Sequence, residues 1–185
     1  MATAPGQSVF QLRVTLEEVV PTVWRRLLVP GGVRLGKLHG MLQAAMGWTD
    51  SHLHSFTIGE QLFGSHFDDY PDEELNEKDV TVTRAIGGHR RFFYEYDFGD
   101  SWQHEVVVED HTRLPWGLRY AVCLDGQNAC PPEDCGGPGG YAGLLEVLAD
   151  AGHEDHERLT MWVGGPFDPS AFDLGAVNAD LQHVR

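Results

Sequence analysis

The hydrophobic positions of this chain change their period along its length. From Ser8 to Val19, Phe10, Leu12, Val14 and Leu16 alternate with Gln11, Arg13 and Thr15, the period-two pattern of a strand with one wet face. Pro21 interrupts it, Thr22 to Val29 reads as a second strand, and Pro30-Gly31-Gly32 is a turn. From Arg34 the period lengthens. Leu35, Leu38, Leu42, Ala45 and Met46 share one helical face, which predicts a helix over Leu35 to Met46 with Gly47 at its C-cap. Trp48 to Ile58 reads as a loop entering a strand, which Gly59-Glu60 turns back toward Leu62-Phe63. The acidic run Asp68 to Asp79 reads as a solvated loop with a short helical turn around Glu74, and Val80 to Ile86 as a short strand ending at Gly87-Gly88.

The clearest local signal is Arg90 to Glu109, two β-rich runs flanking Phe98-Gly99-Asp100-Ser101, a predicted hairpin. A two-residue turn would set Glu95 opposite His104. A loop of odd length sets Tyr94 opposite His104 and Tyr96 opposite Trp102, gathering Phe92, Tyr94, Tyr96, Trp102, His104, Val106 and Val108 on one face. Since a one-residue slip inverts every side chain, the apolar face selects the odd loop. Leu118 to Cys123 reads as a further strand, and Asp125 to Gly140 as a loop dense in Pro, Gly and Cys. Three helical stripes close the chain: Tyr141, Leu144, Leu145 and Leu148; Leu159, Trp162 and Val163; Leu174, Val177 and Leu181, with Asp173 as N-cap. Strands first and helices last predict an α+β fold with a mainly antiparallel sheet, an early helix and two or three C-terminal helices. The 185 residues fit a single domain over residues 1–185.

Charge narrows the function classes. Thirteen Lys and Arg stand against 28 Asp and Glu, a net charge of −15, and the only basic clusters are Arg25-Arg26 and Arg90-Arg91. Such a surface repels phosphate and argues against nucleic-acid or anionic-membrane binding. No apolar run approaches the roughly 20 residues of a membrane helix. Met1 to Ser8 lacks the parts of a signal peptide, and a cytoplasmic location is expected.

Four segments carry a family resemblance: Leu38 to Phe56 (LHGMLQAAMGWTDSHLHSF), Tyr94 to Glu109 (YEYDFGDSWQHEVVVE), Cys123 to Tyr141 (CLDGQNACPPEDCGGPGGY) and Gly165 to Leu174 (GPFDPSAFDL). With their spacers they span nearly the whole chain, which resembles the plasmid pRiA4b ORF-3-like family, whose members are sometimes labelled transposon-resolvase-like. The resemblance implies a compact α+β domain and carries over no catalytic residue. A serine recombinase needs a nucleophilic serine supported by arginines and a basic DNA-binding element. This chain offers net −15 and no recognisable helix-turn-helix.

Three groups of residues carry candidate chemistry. Cys123, Cys130 and Cys135, with six and four residues between them, would make a structural zinc site if His104, His111 or His153 supplied a fourth ligand. Otherwise they are small buried thiols. In His52-Leu53-His54, period two puts both imidazoles on one face of an extended segment. Such a pair can hold a transition metal with a carboxylate or His104, or His52 can simply bond to Asp50. Asp97, Asp100, Trp102 and His104 frame the hairpin tip, either as acid-base groups or as turn and core residues, with Gly99 at positive φ. Glu133 and Asp134 would cap a turn or the helix near Tyr141, and the acids around His153 and His156 would sit at a solvated helix N-terminus. No complete nucleophile-base set or cofactor fingerprint can be assembled. The sequence thus predicts a noncatalytic binding module with a protein partner. The rivals are a metal-dependent hydrolase using His52, His54 and His104 and, last, a DNA-handling protein.

Overall fold

A computed structural model describes residues 6–65 and 74–184 of the chain. Eight strands form one sheet: β1 (Gln7–Leu16), β2 (Trp24–Pro30), β3 (His54–Ile58), β4 (Gln61–Gly64), β5 (Glu74–Asn76), β6 (Arg91–Tyr96), β7 (Trp102–Leu114) and β8 (Val122–Gln127). Their order is β5-β4-β3-β6-β7-β1-β2-β8, antiparallel except for the β4–β5 pair. Five helices accompany them: α1 (Leu35–Met46), α2 (Val82–Ile86), α3 (Gly137–Ala149), α4 (His156–Trp162) and α5 (Leu174–Leu181). The fold is α+β with an early helix and C-terminal helices.

The alternation in β1 survives intact: Phe10, Leu12, Val14 and Leu16 are buried, while Gln11, Arg13 and Thr15 face a wetter side. That wetter face is laced by Arg26 to Glu109 and Arg91 to Glu105 ion pairs. On the buried face Leu12, Val14, Leu27, Phe92, Tyr94 and Val106 join Leu35, Leu38 and Leu42 of α1 in one core. The β6–β7 hairpin adopts the odd-loop register, Tyr94 opposite His104 and Tyr96 opposite Trp102. Helix α1 spans the predicted residues and ends at Gly47 with φ 85°, a left-handed cap that glycine enters without steric cost. Asp173 caps α5 by accepting from the backbone N–H of Gly175 (2.8 Å) and Ala176 (3.0 Å).

Local context overrides the sequence pattern in four places. Residues 82–86 are a helix rather than a strand: the Thr81 hydroxyl accepts from Arg84 N, and Val82, Ala85 and Ile86 bury one helical stripe. Capping thus outweighs the β-branched run. Residues 74–76 are a strand rather than a helical turn, because an edge strand needs backbone pairing and tolerates charge; residues 68–73 of the acidic run lie outside the described part. The last strand begins at Val122, later than predicted, and runs through Gly126, where a Cβ would come within 2.6 Å of Phe172. Helix α3 begins at Gly137 with Pro in its first turn, before the apolar stripe that announced it.

Candidate functional site

The hairpin register aims Tyr94 at α1, where two polar residues one turn apart, His39 and Gln43, occupy the buried face. These side chains close a ring of hydrogen bonds with Asp50. The Asp50 backbone N–H donates to Gln43 Oε1 (3.0 Å), and Gln43 Nε2 donates to the Tyr94 hydroxyl (2.9 Å). The ring continues from the Tyr94 oxygen to His39 Nδ1 and from His39 Nε2 to Asp50 Oδ1, both 2.7 Å. Because a carboxylate only accepts, His39 carries its proton on Nε2 and receives the Tyr94 proton at Nδ1. All four bonds then run in one sense. Burial and the neighbouring His54 hold the His39 pKa below its ordinary value, and burial holds that of Tyr94 well above its own, so both stay neutral.

His54, the first residue of β3, stacks on His39 with centroids 3.4 Å apart and planes 3° from parallel. Its Nε2 bonds to Glu77 Oε2 at 2.8 Å, an almost fully buried pair. Two charged imidazoles at this spacing would repel by about 5 kcal/mol at an effective dielectric near 20. The stack therefore disfavours charging both rings at once. It floors a cleft of about 500 Å³ lined by Arg34, Lys37, His52, Leu53, Glu77 and Lys78 among others.

His52, two residues earlier, turns to a different set of acids. Its Nε2 lies 3.2 Å from Asp134 Oδ1 without forming a hydrogen bond and 3.6 Å from Asp97 Oδ2, beyond hydrogen-bond reach. Asp97 plays the expected turn role with its other oxygen, accepting from Gly99 N (3.0 Å) and Asp100 N (3.4 Å). The left-handed residues of that turn are Asp97 (φ 57°) and Ser101 (φ 54°), not Gly99. Asp100 Oδ2 accepts from Gly136 N. Glu133 caps no helix. It accepts from the Tyr96 hydroxyl and from Thr49 N and Oγ1, pinning the loop after α1 to the loop before α3.

Among the described residues two donor sets approach metal-ligand spacing, His39 with Asp50 and His54, and His52 with Asp97 and Asp134. Neither contains a cysteine, so the structure does not bring Cys123, Cys130 and Cys135 together with His104. Burial raises all three thiols, Cys135 to about 12, and leaves them protonated. His104 lies enclosed in the core, its Nδ1 donating to the carbonyls of Trp102 (3.0 Å) and Tyr94 (3.2 Å). His52, His54 and His104 do not converge. His111 stacks on Phe10, His153 Nδ1 accepts from Asp155 N, and His156 Nδ1 bonds to the Val147 carbonyl.

The comparisons with known proteins agree in one direction. The family described as plasmid pRiA4b ORF-3-like protein matches residues 8–176. The chain belongs to this family. It is 40% identical over 174 residues to the uncharacterized protein y4hQ of Sinorhizobium fredii, covering 92% of this chain and 89% of that one. It is also similar to the crystal structure of a protein of unknown function, MM3350, from Methanosarcina mazei Go1. That match has 34% identity and a TM-score of 0.83 over 91% of this chain and 97% of the other. No helix among the described residues is long and apolar enough to cross a membrane.

In this family member, three of the four segments that carry the resemblance meet around the cleft. Leu38 to Phe56 supplies His39, Asp50, His52 and His54; Tyr94 to Glu109 supplies Tyr94, Tyr96 and Asp97; Cys123 to Tyr141 supplies Glu133 and Asp134. The sequence reading missed His39, Gln43, Asp50 and Glu77 as site residues. His39 and Gln43 had a visible signal, two polar residues at i and i+4 on the apolar face of a helix. Glu77, within an acidic run, had none.

Proposed function

We propose that this protein is a noncatalytic binding module whose cleft over His39 and His54 takes an acidic segment of a protein partner. The carrying observation is the floor of the cleft, where His39, Tyr94, Gln43 and Asp50 spend their polar groups on one another and His54 is tied to Glu77. General-base catalysis calls for a nitrogen within hydrogen-bond reach of substrate. Here both His39 nitrogens are engaged inside the ring, which favours a rigid binding surface over a reactive one. Above this floor Arg34, Lys37 and Lys78 line the cleft of a chain that carries −15 overall. None of the three pairs with a carboxylate of a described residue. A local cationic rim favours a short acidic segment, whereas a long polyanion such as duplex DNA must also approach the acidic remainder. We place the protein in the cytoplasm, a reading supported by three cysteines that form no disulfide.

The test is an amide NMR titration of the full chain with a short Glu-rich peptide at low ionic strength, against a Lys-rich peptide. Shifts confined to residues around Lys37, His52 and Lys78, abolished in Lys37→Glu/Lys78→Glu, are expected. Absence of such shifts overturns the reading. So does turnover of an ester or phosphoester that His39→Ala abolishes.

A further inference from the structure

We infer that His52, Asp97 and Asp134 form a binding site for a first-row divalent transition-metal ion, distinct from the floor of the cleft. The three residues come from three different loops, after α1, at the tip of the β6–β7 hairpin and before α3, yet their donor atoms all lie within 4.8 Å of one another. His52 Nε2 is shielded from solvent and has no hydrogen-bond partner among the described residues, although two carboxylate oxygens stand 3.2 and 3.6 Å away. With metal–ligand legs of about 2.1 Å, those separations subtend angles of roughly 99° and 118° at a common centre, close to the tetrahedral value. The atoms are spaced as ligands, while neither contact makes a hydrogen bond.

The surroundings hold the donors in place. Asp97 Oδ1 is occupied by the N–H groups of Gly99 and Asp100, which fixes the carboxylate and leaves Oδ2 for His52. The loop that carries His52 is tied down by the Ser51 N–H donating to the Tyr96 hydroxyl (3.0 Å), and Tyr96 in turn donates to Glu133, the neighbour of Asp134. Both aspartates adopt left-handed backbone, φ 57° at Asp97 and 60° at Asp134. A non-glycine residue enters that region at a cost, and Asp enters it more readily than most. Asp134, with its side chain 70% exposed, has room to close on an ion, whereas Asp97 is nearly buried.

The other donor set is less suited to a cation. The His39 and His54 rings lie in parallel planes 3.4 Å apart, so their in-plane lone pairs cannot meet at one point, and their bonded nitrogens would have to surrender Tyr94, Asp50 or Glu77. One imidazole with two carboxylates is a mixed set, suited to ions such as Zn²⁺, Co²⁺ or Mn²⁺. Three protein ligands leave further coordination positions to solvent or to a bound carboxylate.

The experiment is a Co²⁺ and Zn²⁺ titration of the full chain after chelator treatment, followed by calorimetry and the visible Co²⁺ absorption. Wild-type protein is expected to bind one ion per chain. His52→Gln and Asp134→Asn are each expected to weaken binding by about tenfold or more and to alter the Co²⁺ spectrum, with circular dichroism unchanged. Asp97→Asn, which keeps a residue tolerant of left-handed backbone, is expected to do the same. Absence of binding by wild-type protein overturns the site and leaves an ion pair only. Binding equal to wild type in both His52→Gln and Asp134→Asn also overturns it and places the ion elsewhere.

Discussion

Lowering the pH from 7.5 to 5.0 should weaken this fold mainly through His104. Its ring is fully enclosed beneath Trp48 and Tyr94; Nδ1–H is spent on two carbonyls of its own hairpin, and Nε2 has no hydrogen-bond partner among the described residues. Burial pushes its pKa down from 6.5 to about 4. The unfolded chain therefore takes up a proton below pH 6.5 that the folded chain refuses until about pH 4. Stability is fully present above 6.5 and falls as the pH drops through that window. Integrated from pH 7.5 to 5.0, the loss from this one group is about 2 kcal/mol. His39, also held low by burial, adds in the same direction. Glu109, held low chiefly by its hydrogen bond to Arg26, contributes only at more acid pH, below the ordinary carboxylate value of 4.5. The assay is urea unfolding of wild type and His104→Asn at several pH values between 7.5 and 5.0. Asparagine keeps an N–H donor for the two carbonyls and removes the titrating nitrogen. The variant should start less stable, because the smaller side chain leaves a void, yet lose about 2 kcal/mol less than wild type across the interval. Parallel pH profiles for the two proteins would refute the assignment.

Other expectations follow from single contacts. Arg25, 3% exposed, pairs with no carboxylate among the described residues and donates to the carbonyls of Ala45, Trp24, Gln127 and Asn128. Arg25→Met strands those acceptors and should cost about 3 kcal/mol in chemical denaturation, a change below 1 kcal/mol arguing against the clamp. Gly140 and Gly143 both lie in α3, but a Cβ at Gly140 would sit 1.9 Å from the Cys135 carbonyl oxygen, whereas one at Gly143 meets nothing within 4 Å. Gly143→Ala should stabilise the fold by the roughly 0.5–1 kcal/mol that alanine gains over glycine in a helix and so raise the melting temperature, and Gly140→Ala should lower it; matching signs would refute the close approach. Nitrogen NMR of the His39 ring should show the Nε2–H form, lost in favour of a mixture in Tyr94→Phe, and an Nδ1–H ring in wild type would break the closed circuit.

How much of this was legible beforehand depended on whether the deciding interaction was local. Helix α1 and its Gly47 cap, the Asp173 cap and the hairpin register were all readable, since each depends on residues close in sequence. The 74–76 strand was not readable, because its pairing with β4 is made across the sheet edge and leaves no period in three residues. At the site, His52 and His54 were found by their spacing, which left a shared metal and a His52–Asp50 bond both open, whereas different acids are delivered to each. A period-two rule places two side chains on a common side and says nothing of what meets them there. The cysteines show the same limit: six- and four-residue gaps allow convergence on a metal or plain half-buried thiols alike, and among the described residues no metal-spaced donor set contains a cysteine.

The strand order also constrains how the chain can be made. Strand β1 is flanked by β2, its immediate neighbour in sequence, and by β7, some ninety residues downstream. On a ribosome the β1–β2 hairpin emerges early with both edges open: the long β1 edge is sealed only when β7 arrives, and the β2 edge only when β8 follows it. A topology so rich in distant pairings folds slowly for its size, on the order of milliseconds to seconds. The half-made sheet is the species most exposed to wrong edge-to-edge partners, so aggregation during synthesis should be set by how long β7 takes to arrive.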